Sequence, residues 1–205
     1  MNKYDPKKAF KKLYSTRVRD FAIVDVPRIQ FLAVDGEGDP NTAEAYKEAV
    51  QALYSTSYAA KFDSKNNLSK DYVVGPLEGL WRADDEKVFT ARDKDAWQWT
   101  MLITQPEWIT QEIIDAAREK VKVKKQLPGL DRLRLISWEE GQCVQILHIG
   151  SYDDEAPVLA RMHDEYMPAN SLTFNGDHHE IYLSDPRRTP AERWKIILRQ
   201  PVKRI

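Results

Sequence analysis

Two apolar runs in this chain end in the same way. Met101-Leu102-Ile103-Thr104-Gln105-Pro106 lies near the middle, and Ile196-Ile197-Leu198-Arg199-Gln200-Pro201 lies near the end. Each follows an aromatic segment with polar rims. Proline lacks a backbone donor and cannot continue a central strand, so both runs read as strands that stop at Gln-Pro. A phrase repeated in this way predicts a duplicated unit, and it directs the search for function to the seam where two copies would meet.

The rest of the chain follows that duplication. Arg28–Val34 reads as a strand, broken by the Gly- and Asp-rich stretch from Asp35 to Thr42. Tyr46, Ala49, Val50, Leu53 and Ser57 recur at helical spacing and predict a helix over 43–60. A polar loop at 63–70 precedes strands over 72–81 and 97–104, joined by a charged hairpin region at 82–95. Trp97, Trp99, Met101 and Ile103 share one face of the second of these. A helix over 107–125 then ends at Pro128-Gly129.

From there the order restarts. Strands over 133–138 and 142–149 flank a Glu139-Glu140-Gly141 turn. A break at 150–154 leads to a helix near 155–167 and to strands over 179–184 and 195–199. The predicted organisation is a basic arm (1–20), a first strand-helix-strand-strand repeat (21–106), a linker helix (107–128) and a second repeat (129–205). Such connections give an α+β fold with an antiparallel sheet and its helices on one face.

Charge and composition narrow the partners. Lys and Arg number 31 against 32 Asp and Glu, which argues against dedicated nucleic-acid binding. The basic arm, with Phe10, Leu13 and Tyr14 at helical spacing, reads as a solvated amphipathic segment. No apolar stretch approaches the roughly 20 residues of a membrane span, and no apolar signal region opens the chain. The single cysteine, Cys143, fits a reducing compartment. The expectation is a cytoplasmic protein whose partner is neither nucleic acid nor membrane. Six Trp and nine Tyr supply the amphipathic rings that both cores and ligand pockets use.

Four segments carry a family resemblance. They are Asp71-Tyr72-Val73-Val74-Gly75-Pro76-Leu77-Glu78-Gly79-Leu80-Trp81, Glu139-Glu140-Gly141 through Gln145-Ile146-Leu147-His148-Ile149-Gly150-Ser151-Tyr152, His178-His179-Glu180-Ile181-Tyr182-Leu183-Ser184-Asp185-Pro186-Arg187-Arg188, and Asp35-Gly36-Glu37-Gly38-Asp39-Pro40. Together they resemble GyrI-like small-molecule-binding proteins, from about residue 20 to the end. The resemblance implies a central ligand cleft between pseudo-symmetric halves. Relatives in this family include effector domains of multidrug-sensing transcription activators, a gyrase inhibitor, and standalone hydrolases that open the cyclopropane of DNA-alkylating natural products. This length resembles the standalone branch.

Glu180 is the first candidate for chemistry. Glu180 and Tyr182 point one way along their strand while Ile181 and Leu183 point the other. A carboxylate on a buried face is costly unless it meets a cation, a donor or water. One reading makes Glu180 a ligand-facing group, and the other pairs it with Arg187, Arg188 or a lysine. The resemblance implies the first: Glu180 at the cleft floor, acting in hydrolysis as general base on a water, with burial raising its pKa. Tyr72 is the expected donor to a developing oxyanion, with Tyr182 as the alternative phenol. Trp81, Trp99 and Trp138 are the expected aromatic walls, although core packing competes for each and Trp97 cannot be ranked apart from Trp99. Pro76, Leu80, Tyr182 and His148, within the matching segments, complete the expected ligand contacts.

No metal and no cofactor are expected. Adjacent His178 and His179 point to opposite faces of a strand, and the Asp35–Asp39 stretch lacks the distal glutamate of a calcium loop. The expected function is binding of hydrophobic or aromatic, including cationic, small molecules, with hydrolysis of cyclopropanoid genotoxins as the enzymatic reading. The alternatives are a non-catalytic sequestering or sensing protein and a gyrase-inhibitor-like interaction module.

Overall fold

A computed structural model describes residues 3–14, 20–82 and 94–205. Most of the expected 82–95 hairpin and part of the basic arm, including Arg17 and Arg19, lie outside the described residues. The elements are α1 (Pro6–Ala9), β1 (Ala22–Glu37), α2 (Glu44–Asn67), β2 (Leu77–Arg82), β3 (Gln98–Gln105), α3 (Gln111–Lys125) and β4 (Arg134–Ile149). After β4 comes α4, built from Ala156–Ala160, wide π-helical turns over Arg161–Tyr166, and Met167–Ala169. β5 (Leu172–Phe174), β6 (His178–Tyr182) and β7 (Lys195–Arg204) follow. The fold class is α+β with antiparallel strands. No helix among the described residues is long and apolar enough to cross a membrane.

The chain divides into two compact units. The first comprises Met1–Ala9 and Ile29–Trp138, and the second Phe10–Arg28 and Glu139–Ile205. Each unit has its own strand-helix-strand-strand core, with its last strand in the middle. In the first unit β3 lies between β1 and β2, and all of it from Trp99 to Gln105 is buried. In the second unit β7 lies between β4 and β6. A strand flanked on both sides has no solvent-facing edge, which is why these two runs are apolar and almost free of charge.

The unit borders differ from the expected repeat borders. The helix expected to be a linker is α3, and it packs along α2 inside the first unit. Residues 129–138 also belong to the first unit, and 10–28 to the second. α2 runs beyond the expected end at 60 because its buried stripe continues through Ala60, Lys61 and Ser64. Those two polar side chains have partners: Lys61 Nζ lies 2.8 Å from Asp71, and Ser64 Oγ donates to the Lys70 carbonyl at 2.8 Å.

The two strands expected around Glu139-Glu140-Gly141 are one strand, β4. The expected turn is reduced to Gly141, whose φ of +72° suits glycine. Only the first Gln-Pro ends its strand. β3 stops at Gln105, but β7 passes Pro201 because Val202, Lys203 and Arg204 take a new partner, β5. Both glutamines are nevertheless buried and tie their unit together. Gln105 donates to Ser57 Oγ at 3.0 Å and accepts from Tyr72 at 3.0 Å, while Gln200 donates to the Gly176 carbonyl at 2.9 Å.

A buried ionic network lies on one face of the second unit. His179 on β6 and Arg199 on β7 face each other in register, and both reach Glu140 on β4. His179 Nδ1 is 2.9 Å from Glu140 Oε1, and Arg199 Nη1 donates to Oε2 at 3.2 Å. Arg199 also donates to Gln145 at 3.2 Å and to the Leu13 carbonyl at 2.9 Å, which anchors the 10–14 segment. Burial opposes ionisation of Glu140, but the charges and hydrogen bonds of His179 and Arg199 outweigh it and hold the carboxyl below the usual carboxylate range.

Breaking one partner of a buried charge network costs about 3–5 kcal/mol. Glu140→Ala is therefore expected to lower unfolding stability in urea by an amount of that order. Because the folded pKa of Glu140 is depressed, its contribution is present above the unfolded carboxylate range and is lost as pH falls through the folded value. Glu140→Gln is expected to flatten the acid limb of a stability–pH curve, and an unchanged acid limb would refute this account.

Candidate functional site

Alternation along β6 sends His179 and Ile181 to the network face and His178, Glu180 and Tyr182 to the opposite face. In register, Glu180 faces Leu198 and Tyr182 faces Ile196. Leu198 and Ile196 belong to a buried cluster with Val144, Ile146, Met162 and Met167, against which Tyr182, Val158, Leu159 and Trp194 also pack. Glu180 thus projects from the sheet face that α4 covers, and its side chain is only 13 % exposed. Tyr182 donates its hydroxyl to Glu180 Oε2 at 2.7 Å. His178 Nε2 lies 3.5 Å from Glu180 Oε1. Arg187 and Arg188, the expected competitors for Glu180, instead hold Asp185.

A cluster of three rings reaches this carboxylate through Tyr182. Tyr152 meets Tyr182 edge-on at 5.9 Å between centroids and leans on Trp194 at 4.7 Å. Trp194 is fixed by its Nε1, which donates to the Thr189 carbonyl at 2.8 Å. Tyr152 is 40 % exposed, so the cluster opens to solvent. Its hydroxyl pKa is pushed up to about 12, by burial first and then by the charges of Glu180 and Glu155.

Glu155 completes the group at the start of α4. It is 6 % exposed, and its Oε1 has no hydrogen-bond partner among the described residues. Burial first, and then the charges of Glu180 and Asp153, push its pKa up from the ordinary carboxylate range. His163, in the π-helical turns, is held neutral: burial and the neighbouring His178 lower its pKa to about 4. The second unit therefore gathers two carboxyl groups, two phenols and an indole.

The remaining sequence candidates have other surroundings. His148 is buried, with Nε2 3.0 Å from the Ser151 carbonyl, and it braces the 150–154 turn. Tyr72, Pro76, Leu80, Trp81, Trp99 and Trp138 belong to the first unit. Tyr72 is fully buried, its hydroxyl shared between Gln105 Oε1 at 3.0 Å and the Ser57 carbonyl at 3.3 Å, and burial pushes its pKa up. Trp99 is fully buried over Gly36, where a Cβ would overlap its ring, and Nε1 donates to the Gly38 carbonyl at 3.2 Å. Trp81 is buried and stacks on Tyr46 at 6.4 Å, and Trp138 leans on Phe31 at 5.2 Å. Pro76 and Leu80 are half-buried, with Leu80 opposite Thr100.

Sequence reasoning passed over Tyr152, Glu155 and Trp194 as site residues. Tyr152 closes one of the four resembling segments. Trp194 was accessible from the repeat, because it precedes Gln200 by six residues as Trp99 precedes Gln105. Glu155 carried no signal, since it follows Asp153-Asp154 and reads as part of a solvated acidic run.

The raised pKa of Glu155 has a definite sign. The folded state holds its proton across a window where the unfolded state releases it, so Glu155 costs stability progressively as pH rises from the ordinary carboxylate range to about 10. Glu155→Gln is expected to match wild type near pH 4 and to exceed its Tm increasingly towards pH 9. Parallel Tm–pH curves for the two proteins would show that Glu155 titrates normally.

Comparison with known proteins agrees with this architecture. A crystal structure of an uncharacterized conserved protein from Listeria innocua superposes with a TM-score of 0.90 at 40% identity, covering 98% of this chain and 100% of that one. A structure named as a hydrolase from Listeria innocua does so with a TM-score of 0.88 at 39% identity, over 98% and 100% of the two chains. A further hydrolase structure from that organism has a TM-score of 0.86 at 38% identity, with the same coverage. No curated protein matches the sequence significantly. Residues 19–203 match the GyrI-like small molecule binding domain, and with nine-tenths of its length inside that match the chain belongs to the GyrI-like family.

Proposed function

We propose that this protein binds hydrophobic aromatic small molecules at the Glu180 site of the second unit and adds water to them, cyclopropanoid genotoxins being the substrate class. The observation that carries the reading is a largely buried Glu180, held by the Tyr182 hydroxyl at 2.7 Å, in the same unit as the buried Glu155, whose Oε1 has no hydrogen-bond partner among the described residues. The hydrolase name of relatives at 38–39% identity supports it.

In this reading Glu180 takes a proton from water as the water oxygen bonds to the cyclopropane carbon. The carbon–carbon bond that breaks sends its electron pair into the dienone, which becomes a phenol by gaining a proton at its oxygen. Glu155 is the assigned donor of that proton, because the Tyr72 hydroxyl is already committed in the core of the first unit. Tyr182 orients Glu180. Tyr152 and Trp194 offer ring faces to a flat substrate, and a cationic one gains from their quadrupoles beside a carboxylate.

The test uses sub-stoichiometric protein with a cyclopropyl-dienone alkylator and mass spectrometry for a product one water heavier. Wild type is expected to turn over many times. Losing a general base costs about 10²–10⁴-fold in rate, and Glu180→Gln is expected to fall in that range while still folding. Tyr182→Phe is expected to show a smaller loss. Uptake that stops at one equivalent with no hydrated product would replace hydrolysis by the second reading, a sequestering or effector-sensing binder, which the carboxylate among three rings favours. Compound neither bound nor changed would sink both.

A further inference from the structure

The first unit carries a groove far in sequence from any residue of the Glu180 site. It runs between α2 and α3 and has a volume of about 520 Å³, within the range that small-molecule sites occupy. Tyr54, Tyr58 and Phe62 line its α2 side at i, i+4 and i+8, one face of the helix. Tyr54 and Tyr58 stack at 6.5 Å with an interplanar angle of 25°. Tyr58 is 48 % exposed and Phe62 53 %. Large rings left in water along one helix face mark an interaction surface.

The opposite wall is basic. Lys120, Lys124 and Lys125 line it from α3. Lys120 is paired with Asp63, the one acidic residue of the lining, and Lys125 makes a 3.4 Å contact with Ser55 Oγ. Lys124 is exposed and has no ion pair among the described residues. Three ammonium groups against one carboxylate leave the groove with net positive charge beside an aromatic floor. That combination complements a flat ligand bearing an anionic group, which can stack on the rings and place its charge among the lysines. Its sign is opposite to that of the Glu180 site.

We propose that the α2–α3 groove is a second ligand site, selective for aromatic anions such as sulfonated or carboxylated polycycles. The probe pair is 1-anilinonaphthalene-8-sulfonate and its uncharged analogue N-phenyl-1-naphthylamine, which differ only in the sulfonate. Fluorescence titration of the full chain is expected to show tighter binding of the sulfonate, weakening as salt rises. Reversing one exposed charge partner shifts such binding by about fivefold, and Lys124→Glu is expected to weaken the sulfonate by that order while leaving the neutral probe unchanged. Phe62→Ala is expected to weaken both probes. The loss of sulfonate binding caused by Lys124→Glu is expected to be the same size in a Glu180→Gln background, which separates this site from the one proposed above.

Equal affinity for the two probes, or sulfonate binding indifferent to Lys124→Glu and Phe62→Ala, would overturn the proposal. So would a dimer in sedimentation that Phe62→Ala dissociates, because a second copy of the chain would then cover the groove.

Discussion

The register of the second unit rests on one buried ionic contact. His179 and Arg199 stand opposite each other on β6 and β7, and both are held by Glu140 on β4. Side chains alternate across a strand with a period of two, so a slip of one residue would send every group to the wrong face. Hydrophobic residues tolerate some sliding, but a buried charge without its partner does not. Locking His179 to the network face is therefore what directs Glu180 and Tyr182 beneath α4. The same guanidinium holds the Leu13 carbonyl, which binds an N-terminal segment to strands more than a hundred residues away in sequence.

The first unit has a different set of buried polar contacts at the matching strand. At the position before its Gln-Pro stands Thr104, whose hydroxyl donates to the buried Glu78 at 2.9 Å. Its glutamine is part of a neutral network with Ser57 and Tyr72. Asp35 on β1 is held by Arg134 and Thr100, and Lys61 on α2 by Asp71. Duplication has thus preserved the strand order and the buried glutamine, while the chemistry has diverged. Trp99 fills the core over Gly36, and the corresponding Trp194 is half-buried against Tyr152.

That divergence explains why the carboxyl pair belongs to the second unit. Glu155 enters α4 where the helix covers the sheet, so burial and the nearby charges of Glu180 and Asp153 act on it together. Burial and these charges together disfavour a further negative charge in the cluster. The π-helical turns that follow place His163 against Phe174 at 4.9 Å, and wide turns of this type are frequent at functional sites.

The sequence by itself determined the duplication, the α+β class, most elements and the family. Periodicity and turn chemistry are local, and the two Gln-Pro runs are legible without any fold. It also singled out Glu180 and Tyr182, because strand alternation places both on one face. Tertiary structure decided the rest. Whether β7 stops at Pro201 depended on β5 offering a new partner. Whether Glu139-Glu140-Gly141 turned or ran straight depended on the neighbours that β4 acquires. Whether a tyrosine or tryptophan became core or wall depended on what packs against it, and residue type alone cannot specify that. The raised pKa of Glu155 depended on burial and on charges brought close by folding, so an acidic run that reads as solvated in the sequence holds a buried carboxyl in the structure.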